Sequence, residues 1–249
     1  MIVDLLRLAA DTEVAKEVAD IVLLTDDFSV IVAAVEEGRA ILDNIRKVVT
    51  YLLSDSFSEI MLISASMLAG FPLPVTAVQI LWINLIEDGL PNVALAFEPK
   101  EKFLMAQPPR LKKTLIIDGQ MKILLSLVGF LGPFFLFLLI LSGNKGFLPF
   151  HFSQTLVFAA LGLISSLVVL SARSLRQAFY YRFWQNPYLI GALLVSLFLL
   201  LVAIYWPPLQ LLLQTQPLGW SEWFLIIILG VLNLLTLELS KKFLLLKKG

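Results

Sequence analysis

The sequence predicts a mainly α-helical protein, a polytopic bundle of six transmembrane helices preceded by a small α/β segment. Three observations predict this fold class. Hydrophobic residues make up 59% of the chain and its mean hydropathy is +0.88, whereas soluble domains are roughly half apolar. Uncharged apolar runs of about 20 residues, the length that a bilayer helix needs, recur along the chain. Short patches of Lys and Arg flank these runs on alternate sides, as in proteins that cross a membrane several times.

The first 47 residues have the character of a soluble segment. Residues 12–19 have a helical composition, and residues 21–24 are an apolar run between acidic residues, which predicts one buried strand. From Phe28 onward, apolar residues recur at helical spacing. Helix, strand and helix are a fragment of an α/β layer that is too small to bury a core alone. We therefore divide the chain into a soluble segment at 1–47 and a transmembrane domain at 48–249.

The predicted spans lie near residues 50–70, 75–97, 119–142, 153–175, 187–207 and 220–241. The turn at 70–74 contains Gly and Pro but no charge, so the first two spans should form a helical hairpin. Lys and Arg are concentrated before the first span, after the second and fourth spans, and after the last. Under the positive-inside rule, this pattern places both ends of the chain in the cytoplasm.

Composition also excludes several classes of function. A net charge of zero gives no sign of a nucleic-acid partner. The absence of cysteine excludes disulfides, thiol catalysis and thiolate metal sites, and the single His151 cannot build an imidazole metal centre. The partner that the apolar runs do require is membrane lipid.

Four carboxylates interrupt the first two predicted spans: Asp55, Glu59, Glu87 and Asp88. Because a charge is costly to bury in a bilayer, an intramembrane acid is by default a functional residue. Asp55 and Glu59 share one helix face by their spacing, and Asn84 shares a face with Glu87 and Asp88. A helical hairpin can turn these two faces toward each other.

Such a pocket would offer only oxygen ligands, namely carboxylates, the amide carbonyl of Asn84 and hydroxyls such as that of Ser56. Oxygen ligands suit hard cations and disfavour soft metals. The plainer alternative is that Asp55 lies at the membrane interface and that Glu87 and Asp88 pair with nearby basic residues. No Lys or Arg lies within the two spans to neutralise them, which favours the cation site.

Three stretches of the sequence resemble a known family. The segments TEVAKE at 12–17 and DIVLLTDDF at 20–28 resemble the end of the HAD-like phosphorylation domain of P-type cation-transporting ATPases. The segment QILWINLIEDGLP at 79–91 resembles the sixth membrane helix of the calcium-pump-like branch. The resemblance covers nearly the whole chain from Thr12. It implies the C-terminal part of a pump, with a remnant of the phosphorylation domain and stalk helix at 1–47, followed by the last six membrane helices.

The resemblance also implies roles for individual residues. Glu59, Asn84 and Asp88 fall on the family's ligands for the transported cation. Ser56 falls where calcium pumps have a ligand Asn, and Ser165 falls where a two-site calcium pump has a glutamate.

Glu87 falls where calcium pumps often have Thr. With Asp55 it adds acid where usual ligands are missing, which suits one divalent ion or a proton-coupled cycle equally well. The resemblance therefore implies Ca²⁺ or another hard cation as the transported ion.

The family's ATP-driven cycle needs a DKTGT phosphorylation motif, a nucleotide domain, a TGE loop and a Mg²⁺-binding GDGxNDxP segment, and none of these occurs in the sequence. The resemblance thus implies no catalytic residue and no cofactor site in this chain, although the family uses ATP and Mg²⁺. We expect a truncated or split gene product in the plasma or inner membrane, dependent on a separate N-terminal pump polypeptide. Two alternatives stay open: an ATP-independent membrane protein that binds cations or regulates an intact pump, and an inert gene fragment.

Overall fold

The computed structural model describes residues 28–101, 104–106, 108, 117, 119–142, 150–174 and 184–246. All regular secondary structure within these residues is helical, which confirms the prediction of a mainly α-helical bundle. The α/β remnant of a phosphorylation domain, predicted from the helix at 12–19 and the strand at 21–24, lies outside the described residues.

The helices are named here in chain order: α1 (Phe28–Leu68), α2 (Ala77–Trp82), a π-helical segment π1 (Ile83–Glu87), α3 (Gly89–Ala96), α4 (Gly119–Ser142), α5 (Phe150–Ala172), α6 (Pro187–Tyr205), α7 (Pro207–Leu213) and α8 (Trp220–Leu246). We call residues 77–96, which comprise α2, π1, Asp88 and α3, the broken helix.

In the described part of the chain, five helices are long and apolar enough to cross a membrane: α1, α4, α5, α6 and α8. The second predicted span is the broken helix, whose pieces are each too short alone, so the count of six spans stays a prediction. α1 has 41 residues. At about 1.5 Å per residue it is about 60 Å long, roughly twice the hydrocarbon thickness of a bilayer, so one end extends well beyond the apolar layer.

The chain reverses between α1 and α2 at the predicted turn. Gly70 has a φ of 74°, and the N–H of Phe71 donates to the carbonyl of Ser66 at 2.9 Å. A glycine in this conformation is the usual end of a helix, because a Cβ would be strained there. Thr76 then begins α2 with a capping box, in which its side chain and that of Gln79 each accept a backbone N–H of the other residue.

α5 lies at the centre of the bundle. Its residues 156–161 are all buried, and α1, the broken helix, α4, α6 and α8 pack around it. α1 lies along α4, while α8 lies along α5. The second half of the broken helix, α3, packs against both α1 and α5, and π1 packs against α5 and α6.

One end of the bundle carries basic side chains, and we call it the basic end: Arg46, Lys47, Arg173 and Lys241 are all buried there. The segment that follows α3 folds back onto the extended part of α1 at this end. Lys47 lies 2.8 Å from Asp43 and 3.3 Å from Glu101. The amide of Asn44 donates to the carbonyls of Ala96 at 3.1 Å and Glu98 at 2.8 Å.

Candidate cation-binding site

The predicted site residues of the two elements meet where α1 crosses the broken helix. The amide nitrogen of Asn84 donates to both carboxylate oxygens of Glu59, at 3.2 and 3.1 Å, and to the carbonyl of Ile80 at 3.0 Å. Glu59 is 8% exposed, whereas Asn84 is exposed on the outer side of the described bundle. The expected pairing of the two helix faces is therefore present for these two residues, and the contact is exposed on the Asn84 side.

Asp88 lies one turn further along and is held from two other helices. Its Oδ1 accepts a hydrogen bond from the hydroxyl of Tyr51 on α1 at 2.7 Å and another from the hydroxyl of Ser165 on α5. The two hydroxyl oxygens are 2.6 Å apart. Asp88 and Ser165 are each 1% exposed and Tyr51 is fully buried, so this group lies in the interior of the bundle.

Asp55 belongs to the same cluster. Its carboxyl is 8% exposed and close enough to Asp88 and Glu59 to interact electrostatically with both. Within the described residues, Asp55 Oδ2 and Asp88 Oδ2 have no hydrogen-bond partner. Two buried carboxylate oxygens without donors lie in one cluster, and such atoms are costly unless a cation, a proton or water meets them.

The break in the second predicted span is a π-helical turn, and it changes which side chains share a face. The N–H of Asp88 donates to the carbonyl of Ile83, five residues back, at 3.0 Å. A π turn holds more residues than an α turn, so side chains beyond it do not follow the α-helical spacing that the sequence argument assumes. α3 begins at Gly89. Pro91 lies in its first turn, where a missing N–H breaks no helical hydrogen bond.

Glu87 lies on the side of the broken helix that faces α5 and α6. A Cβ added to Gly162 of α5 would lie 3.5 Å from Glu87 Cγ and 3.2 Å from a methyl group of Leu200 on α6. Glu87 is fully buried, and neither carboxylate oxygen has a hydrogen-bond partner among the described residues. Asn84 instead turns to α1, so the structure does not place these two predicted ligands side by side.

The remaining predicted ligand, Ser56, is half-buried on α1 beside Asp55. None of the hydrogen bonds of the described residues joins Ser56 to the acids. In the same residues, none of the four intramembrane carboxyls forms an ion pair. No three His, Cys, Asp or Glu side chains among them are grouped so that they could hold a metal ion by themselves. The arrangement is therefore a largely buried acidic cluster that is bordered by an amide and two hydroxyls and is exposed at Asn84.

The family model described as the C-terminus of cation transporting ATPases matches residues 72–243, which is more than half of the chain. The chain belongs to this family. The matched region contains Asn84, Glu87, Asp88 and Ser165, while Asp55, Ser56 and Glu59 precede it.

Most of this chain can be aligned with a part of much longer calcium-transporting ATPases. It is 38% identical over 219 residues to a calcium-transporting ATPase of Bacillus subtilis (strain 168), covering 87% of the chain and 24% of that relative. It is 37% identical over 212 residues to the calcium-transporting ATPases type 2C member 2 of Rattus norvegicus and type 2C member 1 of Homo sapiens, covering 84% of the chain and 22% and 23% of these relatives. The chain thus spans less than a quarter of the length of the curated relatives it matches. Its apolar helices and its family make it a multi-pass membrane protein.

Tyr51 bonds to Asp88 but was not among the site residues predicted from the sequence of this ATPase C-terminal region. It lies four residues before Asp55, which itself lies four residues before Glu59, so the three share one face of α1. A hydroxyl on the acidic face of a membrane helix is the signal that could have identified it. Ser165 entered only through its position in the family, and the structure places its hydroxyl on Asp88.

Proposed function

We propose that this chain is the membrane part of a cation pump and that Glu59, Asn84 and Asp88 bind the transported cation. The observation that carries the proposal is the crossing of α1 and the broken helix, where acids from both elements are buried among amide and hydroxyl groups without a basic partner in the described residues. Oxygen-only sites of this kind suit hard cations. Calcium is the first ion to test, because the similar proteins are named calcium-transporting ATPases.

A cation would satisfy the atoms that lack partners. Asp55 Oδ2 and Asp88 Oδ2 could both turn to an ion between α1 and the broken helix. The amide of Asn84 now presents its nitrogen to Glu59. An ion at that point would replace this hydrogen bond, and the amide oxygen, which is the ligand atom, would turn inward. The hydroxyl of Ser165 already bonds to Asp88 and would orient its carboxylate.

Glu87 and Ser56 are the outer members of the proposed ligand set. Glu87 would have to turn from α5 and α6 toward Asn84 to join the same ion, and otherwise offers a separate carboxyl on the far side of the broken helix. Ser56 is half-buried beside Asp55 and would contribute through its hydroxyl.

The open side of the pocket leaves room for ligands from elsewhere, because Asn84 is exposed there. We propose that a separate N-terminal pump polypeptide covers this side and supplies the phosphorylation chemistry with ATP and Mg²⁺. In the cell membrane both ends of the chain and the basic end of the bundle would face the cytoplasm, as the positive-inside rule requires. Domain movements would then reach the ligands through the extension of α1, which Asn44 bonds to the end of the broken helix.

The test uses the full chain in lipid nanodiscs, with calcium binding measured by isothermal titration and by retention of radioactive calcium. Glu59→Gln and Asp88→Asn each remove one ionised ligand and should weaken binding at least about tenfold, since a hydrogen-bonded or ligating charge contributes about 1.4 kcal/mol or more. Glu222→Gln is the matched control, because Glu222 lies in the first turn of α8 and bonds only to Ser221 among the contacts described.

Binding that is equal in all four proteins would remove the acidic cluster from the mechanism. The dependence on a second polypeptide is tested separately, by co-expressing the chain with the N-terminal part of a calcium-transporting relative. Calcium uptake into vesicles that needs both parts, and that Asp88→Asn abolishes, is the expected result. Uptake that proceeds equally well without the chain would contradict this part of the proposal.

A further inference from the structure

The broken helix is attached to α5 at two levels. In the interior, Ser165 of α5 bonds to Asp88. At the basic end, Arg173 bonds to Glu98 through both Nε and Nη2, at 3.1 and 2.9 Å. Glu98, two residues past the end of the broken helix, follows Asp88 by on the order of 15 Å, and Arg173, one residue past the end of α5, follows Ser165 by on the order of 12 Å. Both segments run toward the basic end, so the two attachments fix their relative height.

The broken helix is attached to α6 in the same way. Ser196 of α6 donates to the carbonyl of Ile86 in π1 at 3.3 Å. At the basic end, the amide of Asn186 donates to the carbonyl of Ala94 at 3.1 Å and to Glu98 at 2.8 Å. Asn186 is also the N-cap of α6, where its side-chain oxygen accepts the N–H of Leu189. Glu98 is therefore the point at which α5 and α6 both hold the end of the broken helix.

The Glu98–Arg173 pair is almost completely removed from solvent. The side chains are 2% and 3% exposed, and Asn186 is 1% exposed. A buried ion pair adds little net stability, because desolvating both charges offsets their attraction, and well-packed apolar side chains often replace such pairs without loss. The fork of Arg173 on one carboxylate does, however, define one relative position of the two helices. A gain in stability therefore does not explain why Glu98, Arg173 and Asn186 are buried together. A requirement for one defined position of the broken helix against α5 and α6 does explain it.

We infer that Glu98, Arg173 and Asn186 are positioning residues for the cation site, which set the height of the broken helix so that Asp88 meets Ser165. This rests on the proposed function, because it assigns these residues a role in that same site. A slip of one residue along a helix moves it by about 1.5 Å. The bond from Ser165 to Asp88 would not survive such a slip. Asn44 of α1 bonds the same end through the carbonyls of Ala96 and Glu98, so α1 shares this reference point.

The test replaces the ion pair by apolar side chains of similar size, as Glu98→Leu with Arg173→Met. Because neither charge is left unpaired, the double variant should fold, with helical content and thermal stability close to those of the unmodified chain. Its affinity for calcium should nevertheless fall by about 10- to 100-fold, the range seen when outer-shell residues of a metal site are changed. Glu98→Gln with Arg173→Gln is the second variant, for use if the apolar pair does not fold.

The matched control is a second ion pair of the basic end, Glu238 and Lys241 of α8, 3.0 Å apart with side chains 12% and 5% exposed, changed to Leu and Met. It does not touch the broken helix in the described contacts, so calcium affinity should stay unchanged. Because the chain has no cysteine, spin labels can be attached at Val93→Cys on α3 and Val195→Cys on α6, two exposed positions. The label-to-label distance should shift or broaden when Glu98 and Arg173 are replaced.

A folded double variant whose calcium affinity matches that of the unmodified chain would overturn the inference, whatever the labels show. If the unmodified chain binds no calcium, the proposed function fails. The distance between the two spin labels then tests by itself whether Glu98, Arg173 and Asn186 position the broken helix. An unchanged label distance in that case would overturn it, and a shifted distance would support it.

Discussion

Removing the hydroxyl of Tyr51 tests the hydrogen bonds in the interior of the site with the smallest change in packing. Tyr51 is fully buried, and its hydroxyl donates to Asp88 at 2.7 Å and lies 2.6 Å from the hydroxyl of Ser165. Tyr51→Phe removes this one oxygen and keeps the ring, so the packing around it is preserved. Hydrogen bonds to a charged group contribute about 1.5–3 kcal/mol to stability. For a chain of this size, 1 kcal/mol corresponds to a change in Tm of about 2–4 °C, so Tm should fall by about 3–12 °C.

The measurement is thermal unfolding in detergent micelles, followed by the fluorescence of the five tryptophans. Tyr188→Phe is the matched control, because Tyr188 is 72% exposed and its loss of a hydroxyl should leave Tm within about 1 °C. Ser165→Ala, alone and combined with Tyr51→Phe, completes a double-mutant cycle. The effects should be non-additive, since both hydroxyls bond to one oxygen of Asp88. A Tm for Tyr51→Phe equal to that of Tyr188→Phe would contradict a stabilising hydrogen bond from Tyr51 to Asp88.

Two further predictions concern packing and surface charge. Gly129→Ala would place a Cβ 2.0 Å from the Phe57 ring and should lower the free energy of unfolding by about 1–3 kcal/mol. Gly38→Ala meets nothing within 4 Å and should raise the free energy of unfolding by about 0.5–1 kcal/mol. Chemical unfolding that finds Gly129→Ala more stable than Gly38→Ala would contradict the packing of α1 on α4. The hydrogen bond from Lys100 to Glu37 raises the pKa of Lys100. The stability that this bond adds to the folded chain is therefore fully present below the ordinary lysine pKa of about 10.4 and is lost as the pH rises through the raised pKa. Lys100→Met and the unmodified chain should therefore show the same pH dependence of Tm between about pH 6 and 9, and a difference in slope within that range would show that another group titrates with the pair.

The long helices could be predicted from the sequence because their signal is local. Uncharged apolar runs correspond to α4, α5, α6 and α8 in the structure, and a helix satisfies its own backbone wherever such a run lies. The turn at Gly70 follows equally locally, from one residue that tolerates a positive φ. The crossing of Glu59 and Asn84 could be predicted too, because a short turn brings two consecutive helices together.

The interior of the site was harder to predict because its partners are distant in sequence. Asp88 meets Ser165, and Glu98 meets Arg173 and Asn186, across helices whose neighbours no periodicity specifies. Glu87 was predicted to share a helix face with Asn84 and Asp88 because α-helical spacing was assumed. The π turn at Ile83–Glu87 changes that spacing, and Glu87 lies toward Gly162 and α6.

The positions of the helices and of their acids could be predicted because chain length, hydropathy and periodicity act within a single helix. Which of those acids share a site depends instead on which helices are neighbours, on their relative height and on the local winding of the broken helix, and the packed fold sets all three. Asp55, Glu59 and Asp88 are together because α1 crosses the broken helix at one height. The attachments at Glu98 hold the broken helix at that height against α5 and α6.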